Sequence, residues 1–359
     1  MPGTNTVSAD DEKEWDEEAD RPLPFRYSMT SWGADYTVDG LVNRMLKKDI
    51  FVPPFQRGYV WSFYQASRFI ESLLLGLPVP GIFLSKEYET QKLLVVDGQQ
   101  RLKTLQYFYE GIFEPGNKVF ALKGVQDEFE GLTIKTLKEE DRRKLNDSII
   151  HATIVKQDSP EEDNSSVYYL FERLNTGGTN LLPQEIRACI FQGEFNDLLK
   201  ELNENTTWRM LYGEINKRMK DVELILRFFA LLYNGRAYES PMKVFLNKFM
   251  GKNRHLKHIA KEEFTRQFAN TVETAANGIG PNVFKLERVI TASLFDAIMV
   301  GLACRLENGT ITNYGKLNER YNSLLQNKEF RDAIIVATAN EKNVFQRTSL
   351  AIEAFADVP

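Results

Sequence analysis

Cysteine and histidine are scarce in this sequence, with two and three residues among 359. Two thiols, Cys189 and Cys304, exclude a disulfide framework and a cysteine-rich zinc site. Both fall in apolar helical patterns, which predicts buried free thiols in a reducing cytoplasm rather than a redox pair. His151 falls in a strand-like run. His255 and His258 sit three apart in a basic stretch read as helix, with no carboxylate nearby to complete a metal site. Long apolar runs are missing too: no stretch reaches the ~18 uncharged apolar residues of a membrane span. The first 25 residues hold no signal-peptide apolar core, so a cytoplasmic protein without a membrane partner is expected. There is no G-x-x-x-x-G-K-[ST] loop, because Gly251-Lys252 and Gly315-Lys316 continue with Asn and Leu. The one Asp/Glu-x-Lys triplet is Asp11-Glu12-Lys13, which gives no support to a nuclease signature of that kind.

What is present suffices for a sizeable core. Hydrophobic residues make up 43% and aromatics 12%, which excludes collagen-like and low-complexity classes. The length suggests two domains. The net charge of −5 is unevenly placed. Residues 10–20 hold eight acids and one lysine, so the chain after residue 20 carries +2. An acidic, solvated tail over 1–25 is therefore expected, followed by a body that tolerates an anionic partner.

Residues 26–178 alternate between strand-like and helix-like patterns. A helix is predicted over 39–48 and a strand over 50–52, stopped by Pro53 and Pro54. Ser62 and Gln65 read as a capping box for a helix with the stripe Phe63, Ala66, Phe69, Ile70, Leu73 and Leu74. Residues 81–88 and 92–96 read as a hairpin, and 99–110 as a helix. Thr136 with Glu139 suggests a further cap, 149–155 a strand, and 167–174 a helix ending near Gly177-Gly178. From Pro183, suited to a first helical position, the pattern is almost wholly helical. The clearest helices are 222–232, 264–276, 289–304 and 318–325. The division into domains is placed at 26–178 and 179–359.

The most informative stretch runs Leu93-Leu94-Val95-Val96-Asp97-Gly98-Gln99-Gln100-Arg101-Leu102-Lys103-Thr104-Leu105. Four apolar residues make a buried strand, Asp-Gly a tight turn, and Gln99 opens a helix. Arg101 and Lys103 sit near the end of that helix which the backbone dipole already makes positive. A phosphate there would accept N–H bonds and pair with Arg101. The plainer alternative makes Asp97 an N-cap and Gln100 its capping-box partner, with both cations in solvent. Upstream, Phe55-Gln56-Arg57-Gly58-Tyr59-Val60-Trp61 offers donors on a proline-stiffened segment, its aromatics partly core. Downstream, Phe171-Glu172-Arg173-Leu174-Asn175-Thr176-Gly177-Gly178 ends a helix beside a glycine turn.

The order F-Q-R-x-Y-x-W, D-G-Q-Q-R-L-x-T-L, F-x-R-L-N-T-G-G resembles the N-terminal domain family of GmrSD-type, modification-dependent restriction endonucleases, over roughly 30–345. That family is similar in fold to ParB and sulfiredoxin-like nucleotide-binding domains. The resemblance implies an α+β fold: a ParB/sulfiredoxin-like α/β domain followed by an all-helical one. It implies a nucleoside triphosphate as cofactor, with Gly98, Gln99, Gln100 and Arg101 cradling phosphates. Gln56 and Arg57 would contact nucleotide or phosphate, and Lys103, Thr104, Arg173 and Asn175 would complete the pocket. Asp97 and Glu172 would hold magnesium or position water, making Asp97, Arg101 and Glu172 the catalytic set. Nucleotide hydrolysis coupled to restriction of modified or foreign DNA is the function implied. A regulatory DNA-binding module without turnover, and an autonomous nickase, are the alternatives. Fused members carry a His-Asn-His nuclease, which three histidines do not supply here, so a separately encoded nuclease and a homodimer are the expected protein partners.

Between 240 and 261 stand Lys243, Lys248, Lys252, Arg254, Lys257 and Lys261, with no acid. They form either a DNA-backbone contact surface or the solvated face of an amphipathic helix.

Overall fold

The computed structural model describes residues 28–52, 59–87, 90–159, 165–174 and 182–359. The acidic tail, the stop at Pro53 and Pro54, the motif residues Gln56 and Arg57, Tyr88, and the turn at 175–179 lie outside the described residues. The chain divides into two compact units between Leu181 and Leu182.

In the unit Arg26–Leu181 the strands are β1 (Ser28–Thr37), β2 (Ile50–Phe51), β3 (Ile82–Lys86), β4 (Leu93–Asp97), β5 (Ile112–Phe113), β6 (Lys118–Val119) and β7 (Ile149–Ser159). Five of them form a mixed sheet in the order β1-β7-β3-β4-β2, and β5 and β6 form a short ribbon. β1 and β7 are antiparallel, as are β3 and β4; β7 runs parallel to β3 and β4 to β2. The helices are α1 (Val38–Leu46), α2 (Phe63–Leu75), α3 (Gln99–Glu110), α4 (Glu139–Asp147) and α5 (Ser165–Leu174). β4 is the four-residue apolar run, buried on both faces as a central strand must be. Leu93 and Val95 point into the main core with Ile82, Leu84, Leu102, Leu105 and Phe108. Leu94 and Val96 alternate to the opposite face, and α5 packs against β4.

Local signals set most boundaries. Ser62 and Gln65 form both bonds of the capping box that opens α2, and Gly76 closes it in the left-handed region at φ 72°. The expected cap at Thr136 is not formed. Lys138 holds the N-cap of α4, and the Thr136 hydroxyl instead accepts from the Thr133 amide at 2.8 Å. β1 has no counterpart in the pattern reading. Its sequence SMTSWGADYT is largely polar and exposed because it is an edge strand, held by its ladder to β7.

The unit Leu182–Pro359 is almost all helix. It contains α6 (Pro183–Ile190), α7 (Glu194–Asn203), α8 (Thr206–Tyr212), α9 (Lys220–Asn234), α10 (Met242–Asn253), α11 (Lys261–Gly278), α12 (Ala292–Leu306), α13 (Tyr314–Gln326), α14 (Lys328–Ile335) and α15 (Glu341–Phe355). α12 is apolar around nearly its whole circumference and buried accordingly. It packs on α9, α11 and α15. A Cβ at Gly301 would lie 2.9 Å from the Ala351 backbone, so glycine permits the close crossing of α12 and α15. Asp296 is fully buried in α12 and is held by Arg227 at 2.6 Å and Arg347 at 2.9 Å. His255 and His258, expected in a helix, lie in the turn and bend that follow α10.

Candidate functional site: the corner between β4 and α3

Asp97 is the last residue of β4, and Gly98 turns the chain at φ 98° before α3 begins at Gln99. A Cβ at Gly98 would overlap the Ile82 side chain, with Ile82 Cβ at 2.9 Å. Positive φ and lack of space together require glycine here.

The capping-box alternative is not what forms. Gly98 occupies the N-cap of α3, so the first-turn N–H groups have no side-chain cap. Asp97 lies one residue too early and instead accepts from Arg101 Nη2 at 2.7 Å. Gln100 turns away from the cap: its Oε1 accepts from the backbone amides of Val60 at 2.9 Å and Trp61 at 3.2 Å. Thr104 Oγ1 donates to the Gln100 carbonyl at 2.7 Å. A hydroxyl has one proton, so the 2.6 Å contact between Tyr59 and Thr104 is a donation by Tyr59. Burial pushes the Tyr59 phenol up to about 12, which keeps that proton in place. The Tyr59 ring also meets Tyr107 and Phe113 edge-on. The first two motifs are thus one hydrogen-bonded piece, a coupling hidden in the pattern because Tyr59 and Trp61 read simply as core aromatics.

Arg101 is enclosed, its side chain 13% exposed against 47% for Asp97. Its Nε is buried with no hydrogen-bond partner among the described residues. An N–H in that state is costly unless an acceptor arrives.

The remaining expected site residues divide. Two positions of α3 fall outside the corner. Lys103 is turned by about 200° from Arg101 at 100° per residue; it is half-buried, and burial lowers its pKa against the opposing charge of Glu114. Thr104 is fully buried and engaged on both sides, so it braces Tyr59 and faces no ligand. Gln99 is buried at the start of α3. Glu172 and Arg173 lie in the last turn of α5, the helix packed on β4, with Glu172 half-buried and Arg173 exposed. Gln56, Arg57 and Asn175 lie outside the described residues.

Among the described residues no group of three or more His, Cys, Asp or Glu side chains could hold a metal ion by itself.

The basic stretch is smaller than its sequence suggests. Lys243 is buried in α10 and cannot reach DNA. Arg254 Nε donates to the Gln192 carbonyl at 2.5 Å, and Lys261 pairs with Glu201 at 2.6 Å. Lys248, Lys252 and Lys257 remain exposed.

Residues 38–192 match the family described as GmrSD restriction endonuclease, N-terminal domain. The match covers less than half of the chain, and the likeness is that of this segment. It opens at the first residue of α1 and closes just past α6, so it contains all three motifs. The match covers 38–192 of the 30–345 over which a resemblance is expected, and most of the helical unit lies beyond the matched segment. No curated protein matches the chain. No helix among the described residues is long and apolar enough to cross a membrane.

Proposed function

We propose that this chain is a nucleotide-dependent component of a DNA restriction or antiviral defence system, binding a nucleoside triphosphate at the corner between β4 and α3 and hydrolysing it. The family of residues 38–192, a restriction endonuclease domain, supports the system. One observation carries the ligand: the Nε of Arg101, buried and without a partner among the described residues, beside a helix start whose N-cap is a bare glycine. Both present donors where an anion is stabilised by the dipole.

The geometry supports the following roles. Gly98 lets the chain turn at positive φ against Ile82 and so sets the direction of the α3 start. The α3 amides at Gln99, Gln100 and Arg101 supply donors. Asp97 orients the Arg101 guanidinium, which would stabilise charge growing on a transferred phosphoryl. Asp97 and Glu172 are the carboxylates that would hold magnesium, whose charge would offset that of the phosphates. Gln100 ties the segment after Gln56 and Arg57 to α3, so ligand contacts on either element would be felt by the other. DNA is the proposed macromolecular partner, with cleavage supplied by a separate His-Asn-His nuclease.

Calorimetry of the full chain with nucleoside triphosphates, with and without magnesium, tests the binding. Saturable binding that Arg101→Ala weakens roughly tenfold or more is expected, the loss of a charge-assisted bond. No binding of any triphosphate would end the proposal. The closed Asp97–Arg101 pair favours a second reading, binding without turnover. Phosphate release stimulated by DNA supports the first reading, and binding without release supports the second. Nicking of supercoiled plasmid by the purified chain would point instead to an autonomous nickase.

A further inference from the structure

A cleft of about 370 Å³ opens on the N-terminal unit at the other end of β4. Its lining includes Trp32, Ile154, Lys86 and Leu93 from four adjacent strands, and Arg44 from α1. The register sets Trp32 beside Ile154, Ile154 beside Leu84, and Lys86 beside Leu93. Residues paired across strands share a face, and Lys86 follows Leu84 by two, so these side chains form one floor. Leu93 and Asp97 are four residues apart, about 13 Å at ~3.3 Å per residue. The cleft is therefore separate from the Asp97–Arg101 corner.

Its chemistry is that of an anion carrying a flat ring. Arg44, Lys86 and Lys92 bring three cations against the single carboxylate of Asp49. None of the three forms an ion pair among the described residues. Arg44 lies over the Tyr36 ring at 5.5 Å, which takes up that aromatic face. The Trp32 indole, 38% exposed, is the aromatic surface left open. The volume lies at the small end of the roughly 300–1,000 Å³ of small-molecule sites. An inorganic anion would leave the indole unused, and an uncharged ring would leave the cations uncompensated.

We propose that this cleft binds a nucleoside monophosphate unit, free or within a single DNA strand, with its base on Trp32 and its phosphate held by Arg44, Lys86 and Lys92. Asp49 accepts from an N–H on the base edge. Aromatic stacking with a basic rim is how single strands are held without sequence readout, and an arginine with lysines suits the phosphate.

Calorimetry of the full chain at low salt, with thymidine monophosphate, inorganic phosphate and an octathymidylate as probes, tests this. The monophosphate should bind saturably and more tightly than inorganic phosphate. Trp32→Ala should weaken it roughly five- to 150-fold, the range of one base stack. The Lys86→Glu, Lys92→Glu double variant should weaken it as well, while Arg101→Ala leaves it unchanged. Tighter binding of the octamer, with the same dependence on Trp32, identifies a strand as the source; binding of the monophosphate alone identifies the free nucleotide. The proposal is overturned if neither nucleotide probe saturates or if inorganic phosphate binds equally well. It is also overturned if both cleft variants, folded by circular dichroism, keep wild-type affinity, or if Arg101→Ala abolishes monophosphate binding. Triphosphate binding that survives Trp32→Ala keeps the corner's function apart from the cleft's.

Discussion

Asp97 holds one N–H of the Arg101 guanidinium, while another, on Nε, is enclosed without an acceptor among the described residues. Such a side chain is half committed to the fold, and in the function proposed above its other half serves the ligand. Gly98 makes that arrangement possible, so it is the residue with least freedom to change. Gly98→Ala should cost about 2–4 kcal/mol, from a strained positive φ and from overlap with Ile82. Urea unfolding measures the loss. The Ile82→Ala background should return part of it, and a fully additive double variant would show that the overlap is not the cause. Tyr59 offers a second test at this scale. Its folded pKa is raised from the usual 10 to about 12 by burial, so its contribution is complete below pH 10 and is lost as pH rises through 12. Burial raises Tyr107 and Tyr321 to about 12 as well. Thermal unfolding midpoints should hold steady to about pH 9 and then fall, less steeply in Tyr59→Phe. An equal slope in both chains would remove Tyr59 from the account.

At the scale of elements, α3 does two jobs from two faces. Leu102, Leu105 and Phe108 anchor it in the core, while Gln100 and Thr104 fasten the segment that precedes α2. The helical unit is held differently. Asp296 of α12 takes Arg227 of α9 and Arg347 of α15, both buried, so three helices share one carboxylate. Arg347 also donates to the Thr338 carbonyl. Burial lowers the Arg347 pKa while Asp296 opposes the shift. Removing one partner of such a group strands the others. Asp296→Asn should therefore cost about 3–5 kcal/mol in chemical denaturation, whereas replacing an exposed acid such as Glu353 should cost under about 0.5 kcal/mol. A small loss in Asp296→Asn would show that the arginines find other acceptors.

For the whole molecule, charge is the property to test. The body after residue 20 carries only +2, so any affinity for DNA must come from where cations gather. Lys252, in the last turn of α10, and Lys257, beyond it, are exposed, whereas Lys243 is buried and Lys261 is neutralised by Glu201. Reversing Lys252 and Lys257 to Glu should weaken DNA binding and flatten its salt dependence by about two in the slope of log K against log salt. A fluorescence titration at several salt concentrations reads both. An unchanged slope leaves those lysines as a solvated face only.

The sequence by itself determined the segments whose cause is local. An unbroken apolar run marks β4, an Asp-Gly turn marks the start of α3, Ser62 with Gln65 marks α2, and Pro183 opens α6. Each depends on backbone preference or on bonds within a few residues, so each is readable in one dimension. The three motifs were legible as well, and residues 38–192 match the family they suggested. Only the tertiary structure decided who pairs with whom. Asp97 takes Arg101 instead of capping α3, Gln100 reaches back forty residues to Val60, and Lys243 is drawn into the core. β1 is a strand because β7 offers it a ladder, and the cleft at Trp32 exists because four strands bring distant residues onto one face. Such outcomes follow from contacts between residues far apart in the chain, and no periodicity in the sequence records them.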